Sequence, residues 1–195
     1  MIDEETLCLE TFVLYQEHGV KFTMGELAER LGISKKTLYE QVHSKDELAS
    51  RVTEHYFVAV ARDQVDLRAD STIPPLQKAE QILCVVPQLP FRNYRIRELR
   101  RSFPEAYLRM TRWLQSGWER TFEVMDEAIA QGEIEPFDKD FFAKMYAFAI
   151  EGLLTEREQW SAEEFIREQK RAVRMLLCGI CSDRGRKSLS NSEHA

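Results

Sequence analysis

Three ammonium groups and two hydroxyl groups lie close together between residues 35 and 45 of the sequence. They belong to Lys35, Lys36, Thr37, Tyr39 and Lys45. Both kinds of group donate hydrogen bonds to phosphate oxygens, and the free amides and dipole of a helix N-terminus add to that attraction. Any one of these residues is equally typical of a solvated surface. Together, in this spacing, they favour contact with the phosphates of a nucleic acid.

Two short helices, predicted over residues 24–31 and 34–42, would position this group. Ala28 is small enough to let two steeply crossing helices touch, and Gly32 tolerates the positive φ that the tight turn between them needs. Four apolar residues then close a small shared core: Leu27, Leu31, Ile33 and Leu38. This is the pattern of a helix-turn-helix, whose second helix lies in the major groove of duplex DNA.

The rest of the chain is predicted to be helical, because apolar residues recur at helical spacing between well-marked helix starts. The further predicted helices cover about 4–18, 45–68, 73–86, 92–101, 103–131, 138–157 and 162–181. Four starts fit the capping box, in which a hydroxyl and a carboxylate three residues apart satisfy free amides. These are Thr23–Glu26, Ser44–Glu47, Ser102–Glu105 and Ser161–Glu164. The polar residues 182–195 are predicted to form a disordered tail.

The segment FTMGELAERLGISKKTLY, residues 22–39, followed by SKDEL, residues 44–48, resembles tetracycline-repressor-like (TetR/AcrR) regulators. The resemblance spans about residues 7–55. It implies an all-α chain with an N-terminal three-helix helix-turn-helix DNA-binding domain, residues 1–50. A larger helical domain for effector binding and dimerisation would follow, residues 51–181.

The resemblance also implies DNA contacts for residues in and just after the second short helix. Three residues would contact DNA phosphates: Thr37, Tyr39 and Lys45. Five would approach base edges: Ser34, Lys35, Lys36, Glu40 and Gln41. Lysine can donate to guanine and glutamine can pair with adenine, while Glu40 either accepts from cytosine or offsets Lys36 one helical turn earlier.

Two residues depart from the family pattern. Val42 stands where an aromatic side chain usually packs under the recognition helix, so it fills less volume. Gly25 lies in the first turn of a helix, where it lowers helix propensity. Both departures predict a looser small domain, and neither removes a DNA contact.

Large apolar residues between 103 and 148 are candidates for an effector pocket. They are Tyr107, Met110, Trp113, Trp118, Phe122, Tyr146 and Phe148. Such a set suits an unknown small molecule that is apolar or cationic. The same stripe is equally typical of plain core, and periodicity does not separate the two.

Residues 141–154 are apolar nearly all round, so a helix there must be covered on several sides. A partner subunit is one cover, and a central position in a monomer is the alternative. The resemblance implies that the last two long helices pair with their copies in a homodimer, which would bind a palindromic operator in double-stranded DNA. The candidate dimerisation residues are Phe141, Met145, Phe148, Gly152, Val173 and Leu177.

The charge distribution argues for caution about DNA affinity. The net charge is −6, and residues 1–55 carry −5 of it. Residues 91–112, in contrast, hold seven arginines and two glutamates. This basic segment could attract an anionic effector, an acidic partner or the DNA backbone, or it could be a solvated face that pairs with the chain's acids.

Other classes of protein find less support in the sequence. No apolar run approaches the ~20 residues that span a bilayer, and no secretory signal is recognisable, which predicts no membrane partner and a cytoplasmic location. Cys178 and Cys181 form a C-x-x-C pair that is better explained as two packed thiols than as a metal or redox site. No catalytic motif, metal site or cofactor site is evident. The expected function is a transcriptional repressor released by a small molecule; the alternative is a helical interaction module that has lost DNA binding.

Overall fold

The computed structural model describes residues 2–86, 93–94, 96–156 and 160–191. The first four helices are α1 (Glu4–His18), α2 (Met24–Arg30), α3 (Lys35–Gln41) and α4 (Lys45–Ala69), with a 3-10 turn over Gly19–Lys21. The next four are α5 (Pro75–Leu83), α6 (Ile96–Ser102), α7 (Pro104–Gln115) and α8 (Glu119–Ala130). The last three are α9 (Lys139–Glu156), α10 (Ala162–Ile180) and α11 (Asp183–Asn191). Two short strands, β1 (Asn93–Tyr94) and β2 (Trp160–Ser161), pair antiparallel. The all-α prediction is confirmed.

Residues 4–48, here called the reading head, consist of α1, α2, α3 and the first turn of α4. Leu7, Leu27, Leu38, Val42 and Leu48 are fully buried in one cluster at their centre. Val42 is therefore fully buried, although it is smaller than the aromatic residue that the family pattern has there. Burial of this kind stabilises each side chain by roughly 1.5–3 kcal/mol.

Local hydrogen bonds define the ends of these short helices. The capping box at Thr23–Glu26 is complete, with the Thr23 hydroxyl on the Glu26 amide at 3.1 Å. Ser34 caps α3, and Gly32 has a φ of +66° in the turn before it, as the sequence predicts. Ser44 caps α4, but the Glu47 carboxylate accepts from the His43 amide instead of closing the box.

Helix α4 leaves the reading head and continues without a break into the rest of the chain. Its 25 residues span the boundary that was predicted at residue 50. The C-terminal domain, residues 75–191, packs around a core shared by α5, α8, α9, α10 and α11. A second cluster joins α4 to α7, α9 and α10. Helix α4 therefore links the reading head directly to the C-terminal domain, because its later residues pack in this second cluster.

The sequence prediction was wrong in three places within the C-terminal domain. The helix predicted over 103–131 is two helices, which separate at Gly117, where φ is +75°. The predicted Ser102–Glu105 capping box is absent, because Ser102 ends α6 and Phe103 precedes α7. The helix predicted over 92–101 begins only at Ile96, after strand β1.

The predicted disordered tail was also wrong. Residues 183–191 form α11, and its Leu189 is buried in the C-terminal core. Gly185 explains the close docking: a Cβ there would lie 2.1 Å from the Glu133 carbonyl oxygen. Polar composition predicted disorder, but one leucine and one glycine at the contact fix this helix. Residues 192–195 lie outside the described residues.

Candidate nucleic-acid interface

Helix α3 turns one face into the reading head and the other outward. Leu38 is fully buried, and Val42 follows it one turn later at the helix end. The opposite positions, Lys36, Tyr39 and Glu40, are exposed, and the Tyr39 side chain keeps 48% of its surface accessible. Lys36 and Glu40 form no ion pair in the described chain, so the offset that sequence spacing allowed is not made.

The start of α3 is held by its own hydroxyl groups. Ser34 Oγ accepts from the Thr37 amide at 3.0 Å and lies 2.8 Å from Thr37 Oγ1. Ser34 is exposed and Thr37 is half-buried. The two hydroxyls therefore form one rigid polar group at the outer end of α3, in the position where a phosphate contact was predicted.

Lys35 is placed by its neighbour in α2. A Cβ at Gly25 would lie 2.5 Å from Lys35 Cε, so the lysine side chain crosses the space that a larger residue would fill. The low helix propensity of Gly25 thus has a structural counterpart. Lys35 remains exposed at the protein surface.

Lys45 differs from the phosphate contact that the resemblance implied. Its Nζ donates to the carbonyls of Val20 at 2.6 Å and Phe22 at 2.5 Å, and lies 4.2 Å from the centre of the Phe22 ring. These carbonyls follow the end of a helix, where unpaired oxygens carry partial negative charge. Burial lowers the pKa of Lys45. In this conformation the ammonium faces the interior, and it is not on the outer face with α3.

Acidic residues of α1 are engaged by two arginines. Arg30 contacts Glu10 and Glu17, and Arg51 contacts Glu4. The hydrogen bond from Arg51 lowers the pKa of Glu4. Arg51 also donates to the last carbonyl of α3, on Gln41, at 2.9 Å, and Gln41 is half-buried. These ion pairs offset part of the net negative charge of the reading head. Arg51, which lies on α4, also links α1 to the end of α3.

Comparisons with known proteins identify this arrangement. Residues 10–52 match the family described as bacterial regulatory proteins, tetR family. Over 149 residues the chain is 30% identical to the HTH-type transcriptional regulator YvaF of Bacillus subtilis strain 168, covering 75% of this chain and 78% of that protein. The chain belongs to the tetR family. It is a DNA-binding transcriptional regulator, which argues against both a catalytic role and the interaction-module alternative.

Solved structures share the fold of this TetR-family regulator. A TetR transcription regulator from Haloarcula marismortui matches with a TM-score of 0.68 at 17% identity, over 92% of this chain and 98% of that one. SmeT, the repressor of the Stenotrophomonas maltophilia multidrug efflux pump SmeDEF, matches with a TM-score of 0.61 at 17% identity, over 94% and 92%. Regulators of this family bind DNA and small-molecule effectors as dimers.

A cavity of about 160 Å³, here called the long cavity, lies between the reading head and the C-terminal domain. Two of the residues predicted for an effector pocket, Met110 and Tyr146, line it. Its other walls come from residues that the sequence reasoning missed, above all from one face of α4. The signal was present, since apolar residues recur every three or four positions from Ala49 to Val60.

The other five predicted pocket residues do not line the long cavity. Trp113 stacks on Phe57 with ring centres 5.1 Å apart, and Trp118 stacks on Phe122 at 5.4 Å. These rings are part of the packed interior, which was the alternative reading of the stripe. The remaining two are Tyr107, which donates to the Glu151 carboxylate, and Phe148, which is exposed.

The predicted dimerisation residues divide between two helices. Phe141, Met145, Phe148 and Gly152 share one exposed face of α9, and the two phenylalanines keep 60% and 62% of their surface accessible. A face of this size and character is unusual for a protein surface that stays in water.

On α10 the prediction was wrong. Val173 and Leu177 are fully buried in the C-terminal core of the same chain. The exposed apolar residue nearby is Met175, at 79% accessible, with the exposed Gly179 one turn later. Apolar spacing alone did not show which stripe of this amphipathic helix faces inward.

The prediction of two packed thiols at Cys178 and Cys181 holds for Cys181 only. All four are free, and burial raises the pKa of Cys181 to about 11. Cys178 is exposed beside it. Across the described ranges, no group of three or more His, Cys, Asp or Glu side chains is arranged to hold a metal ion, and no helix is long and apolar enough to cross a membrane.

Proposed function

We propose that this regulator is a repressor, which binds a palindromic operator as a homodimer and is released by a small molecule. One observation carries the DNA-binding part of the proposal. Helix α3 is anchored by Leu38 and Val42 while its polar residues stand on the outer surface. This is the orientation that a recognition helix needs in a major groove.

The contact residues divide by chemistry. Thr37 and Tyr39 would donate to phosphates, which fixes the register of the reading head on the duplex. Five residues at the outer end and along the exposed edge of α3 would approach bases: Ser34, Lys35, Lys36, Glu40 and Gln41. Lys45 would join the phosphate contacts only after leaving the carbonyls of Val20 and Phe22.

The exposed apolar face of α9 supports the homodimer. A two-fold dimer would bury Phe141, Met145, Phe148 and Gly152 against their copies and present two reading heads to two half-sites. Because a single small head makes few base contacts, pairing is needed for selective binding.

The long cavity supports control by an effector, since its walls come from both the reading head and the C-terminal domain. A ligand releases DNA only through its different affinity for the DNA-bound and free conformations. A cavity that includes residues of both regions meets this condition, because any change in their relative position alters it.

Selection of bound duplexes from a random DNA pool tests this function. The expected result is a two-fold symmetric site whose affinity falls steeply with salt, by about 0.9 log units per neutralised phosphate for each log unit of salt. Lys36→Ala should weaken binding to the selected site by about 1–3 kcal/mol if it contacts a base. Lys187→Ala, which removes an exposed lysine on α11, is the control and should leave binding unchanged. Failure to enrich any sequence at low salt would overturn the proposal.

A further inference from the structure

The long cavity follows one face of α4 over most of that helix. The first and last lining residues of α4 are Lys45 and Gln64. At 1.5 Å per residue, nineteen steps place their Cα atoms ~28 Å apart. The complete α4 wall is Lys45, Ala49, Val52, Thr53, Tyr56, Phe57, Val60 and Gln64. A cavity lined along so much of one helix is a channel, which suits a chain-like ligand more than a globular one.

The lining of this channel carries a single formal charge. Among the lining residues that the structure describes, only Lys45, at the end formed by the reading head, is ionised at neutral pH. No carboxylate forms a salt bridge with Lys45 in the described chain. Two of the three ammonium protons are directed to the carbonyls of Val20 and Phe22, so the third remains for another acceptor, while Glu26 acts on the charge only through space.

The described residues at the other end of the channel are uncharged, and Gln169 Oε1 there is a buried acceptor without a hydrogen-bond partner. Gln64 donates to the Ile82 carbonyl at 3.2 Å. Tyr146 and Gln169 both donate to the Leu83 carbonyl, at 2.9 and 3.2 Å. Between the two ends the walls are mostly apolar, with Val52, Phe57 and Ile150 among them. Among the described residues, the negative charge of a ligand would therefore be matched only at the Lys45 end.

We propose that the long cavity binds an amphipathic monoanion, a carboxylate on an unbranched hydrocarbon chain. Its carboxylate accepts from Lys45 Nζ, and its chain lies along the apolar face of α4 towards Tyr146. An ammonium–carboxylate pair in a site with little water is stronger than one at the surface. The hydrocarbon chain adds the favourable transfer of each methylene out of water.

Such a ligand would oppose DNA binding through Lys45 itself, a consequence that rests on the proposed function. An anion in the channel holds the ammonium inside the protein, where the structure already places it. Contact with a DNA phosphate requires the same ammonium on the outer surface. The two partners thus bind different conformations of one side chain, which is the differential affinity that release requires.

Binding of small probes to the unmodified chain, without DNA, tests the site. The probes are decanoate, 1-decanol and decyltrimethylammonium, which share a chain and differ in the charge of the head. Measured by calorimetry below the micelle concentration, decanoate should bind at least tenfold more tightly than decanol, and the cation should bind most weakly. Carboxylates from hexanoate to decanoate should gain about fourfold in affinity per methylene.

Variants then locate the head group. Lys45→Met, which keeps length and removes charge, should reduce the affinity for decanoate to that of decanol. Lys35→Met, at an exposed lysine outside the cavity, is the matched control and should leave the preference intact. Ile150→Trp, which fills the channel, should abolish binding of both probes. Circular dichroism checks that each variant is folded, and the comparison of probes on the unmodified chain needs no variant.

Equal affinity for decanoate and decanol, or unchanged decanoate affinity in Lys45→Met, would overturn the site. Absence of decanoate binding by a chain that still recognises its selected operator would overturn this ligand class and leave the regulator function standing. Decanoate binding with the expected preference in a chain that selects no DNA sequence would support the site while refuting the repressor.

Discussion

The reading head and the C-terminal domain are held together in different ways. In the reading head, hydrogen bonds between residues three apart define the starts of three helices: Thr23 to Glu26, Ser34 to Thr37 and Ser44 to Glu47. In the C-terminal domain α10 begins in the same way, from Ser161 to Glu164, but the contacts that fix α11 and the Phe57–Trp113 ring pair join residues far apart in sequence.

This difference explains where function can be seen in the sequence. A recognition helix must present its residues in one order on one face, so its spacing is preserved in the linear pattern. A dimer face or a ligand cavity needs only apolar surface in the right place after folding, and many sequences supply that.

Substitutions on the exposed face of α9 should reduce operator affinity the most, although this face would lie far from the DNA. The double substitution Phe141→Glu, Phe148→Glu places four charges in a two-fold interface and should yield monomers. Operator affinity should then approach that of non-specific binding, a loss of about 10³-fold or more. Sedimentation equilibrium measures the mass and fluorescence anisotropy the affinity.

Val58→Glu is the control for that variant, because Val58 is also an exposed apolar residue, on α4. It should remain a dimer with normal affinity. A double variant of α9 that stays dimeric would show that another surface pairs the subunits.

Leu38→Ala should destabilise the reading head while leaving the C-terminal domain folded. Leu38 is fully buried, so its truncation should cost about 2–5 kcal/mol. Hydrogen exchange should show faster exchange in α2 and α3 and protection retained in α10. Leu108→Ala, at an exposed leucine on α7, should change stability by no more than about 0.5 kcal/mol. Equal loss of protection in both regions would mean that they unfold as one unit.

Leu189→Ala makes the opposite contrast, in the segment whose composition predicted disorder. Because Leu189 is buried in the C-terminal core, the substitution should cost about 2 kcal/mol or more, measured by denaturant unfolding. Ser190→Ala, at the exposed neighbour, should have little effect. An unchanged free energy of unfolding in Leu189→Ala would show that α11 does not contribute to the folded core.

Lowering the pH should produce the smallest change in stability, confined to two helix starts of the reading head. Hydrogen bonds from Thr23 lower the pKa of Glu26, and those from Thr6 lower the pKa of Asp3. A carboxyl whose pKa is lowered by folding stabilises the fold above its unfolded pKa, and this contribution disappears as the pH falls through the folded pKa. The head should therefore lose protection as the pH drops below about 4. The Thr23 backbone amide, the larger of the two causes, remains in Thr23→Ala, so carbon-13 NMR should show the Glu26 titration midpoint moving up only part of the way towards its ordinary value. An unmoved midpoint would show that the Thr23 hydroxyl does not contribute.

The sequence by itself determined the helix-turn-helix of the reading head, including the two faces of α3. Gly32 adopts the positive φ that was predicted from the turn, Leu38 is buried, and Lys36 and Tyr39 are exposed. These features depend on helical periodicity and on bonds between near neighbours, which the linear pattern records directly. The family followed from the same short segment.

Only the tertiary structure decided where Lys45, Leu177 and Leu189 lie. Lys45 is drawn inward by carbonyls more than twenty residues away, and both leucines are buried by distant helices. Lys45, which was predicted to contact DNA, lines the long cavity. Val173 and Leu177, which were predicted to contact a partner subunit, are buried in the core. Apolar burial has no direction of its own, so which face of a helix it covers depends on every other element that packs there.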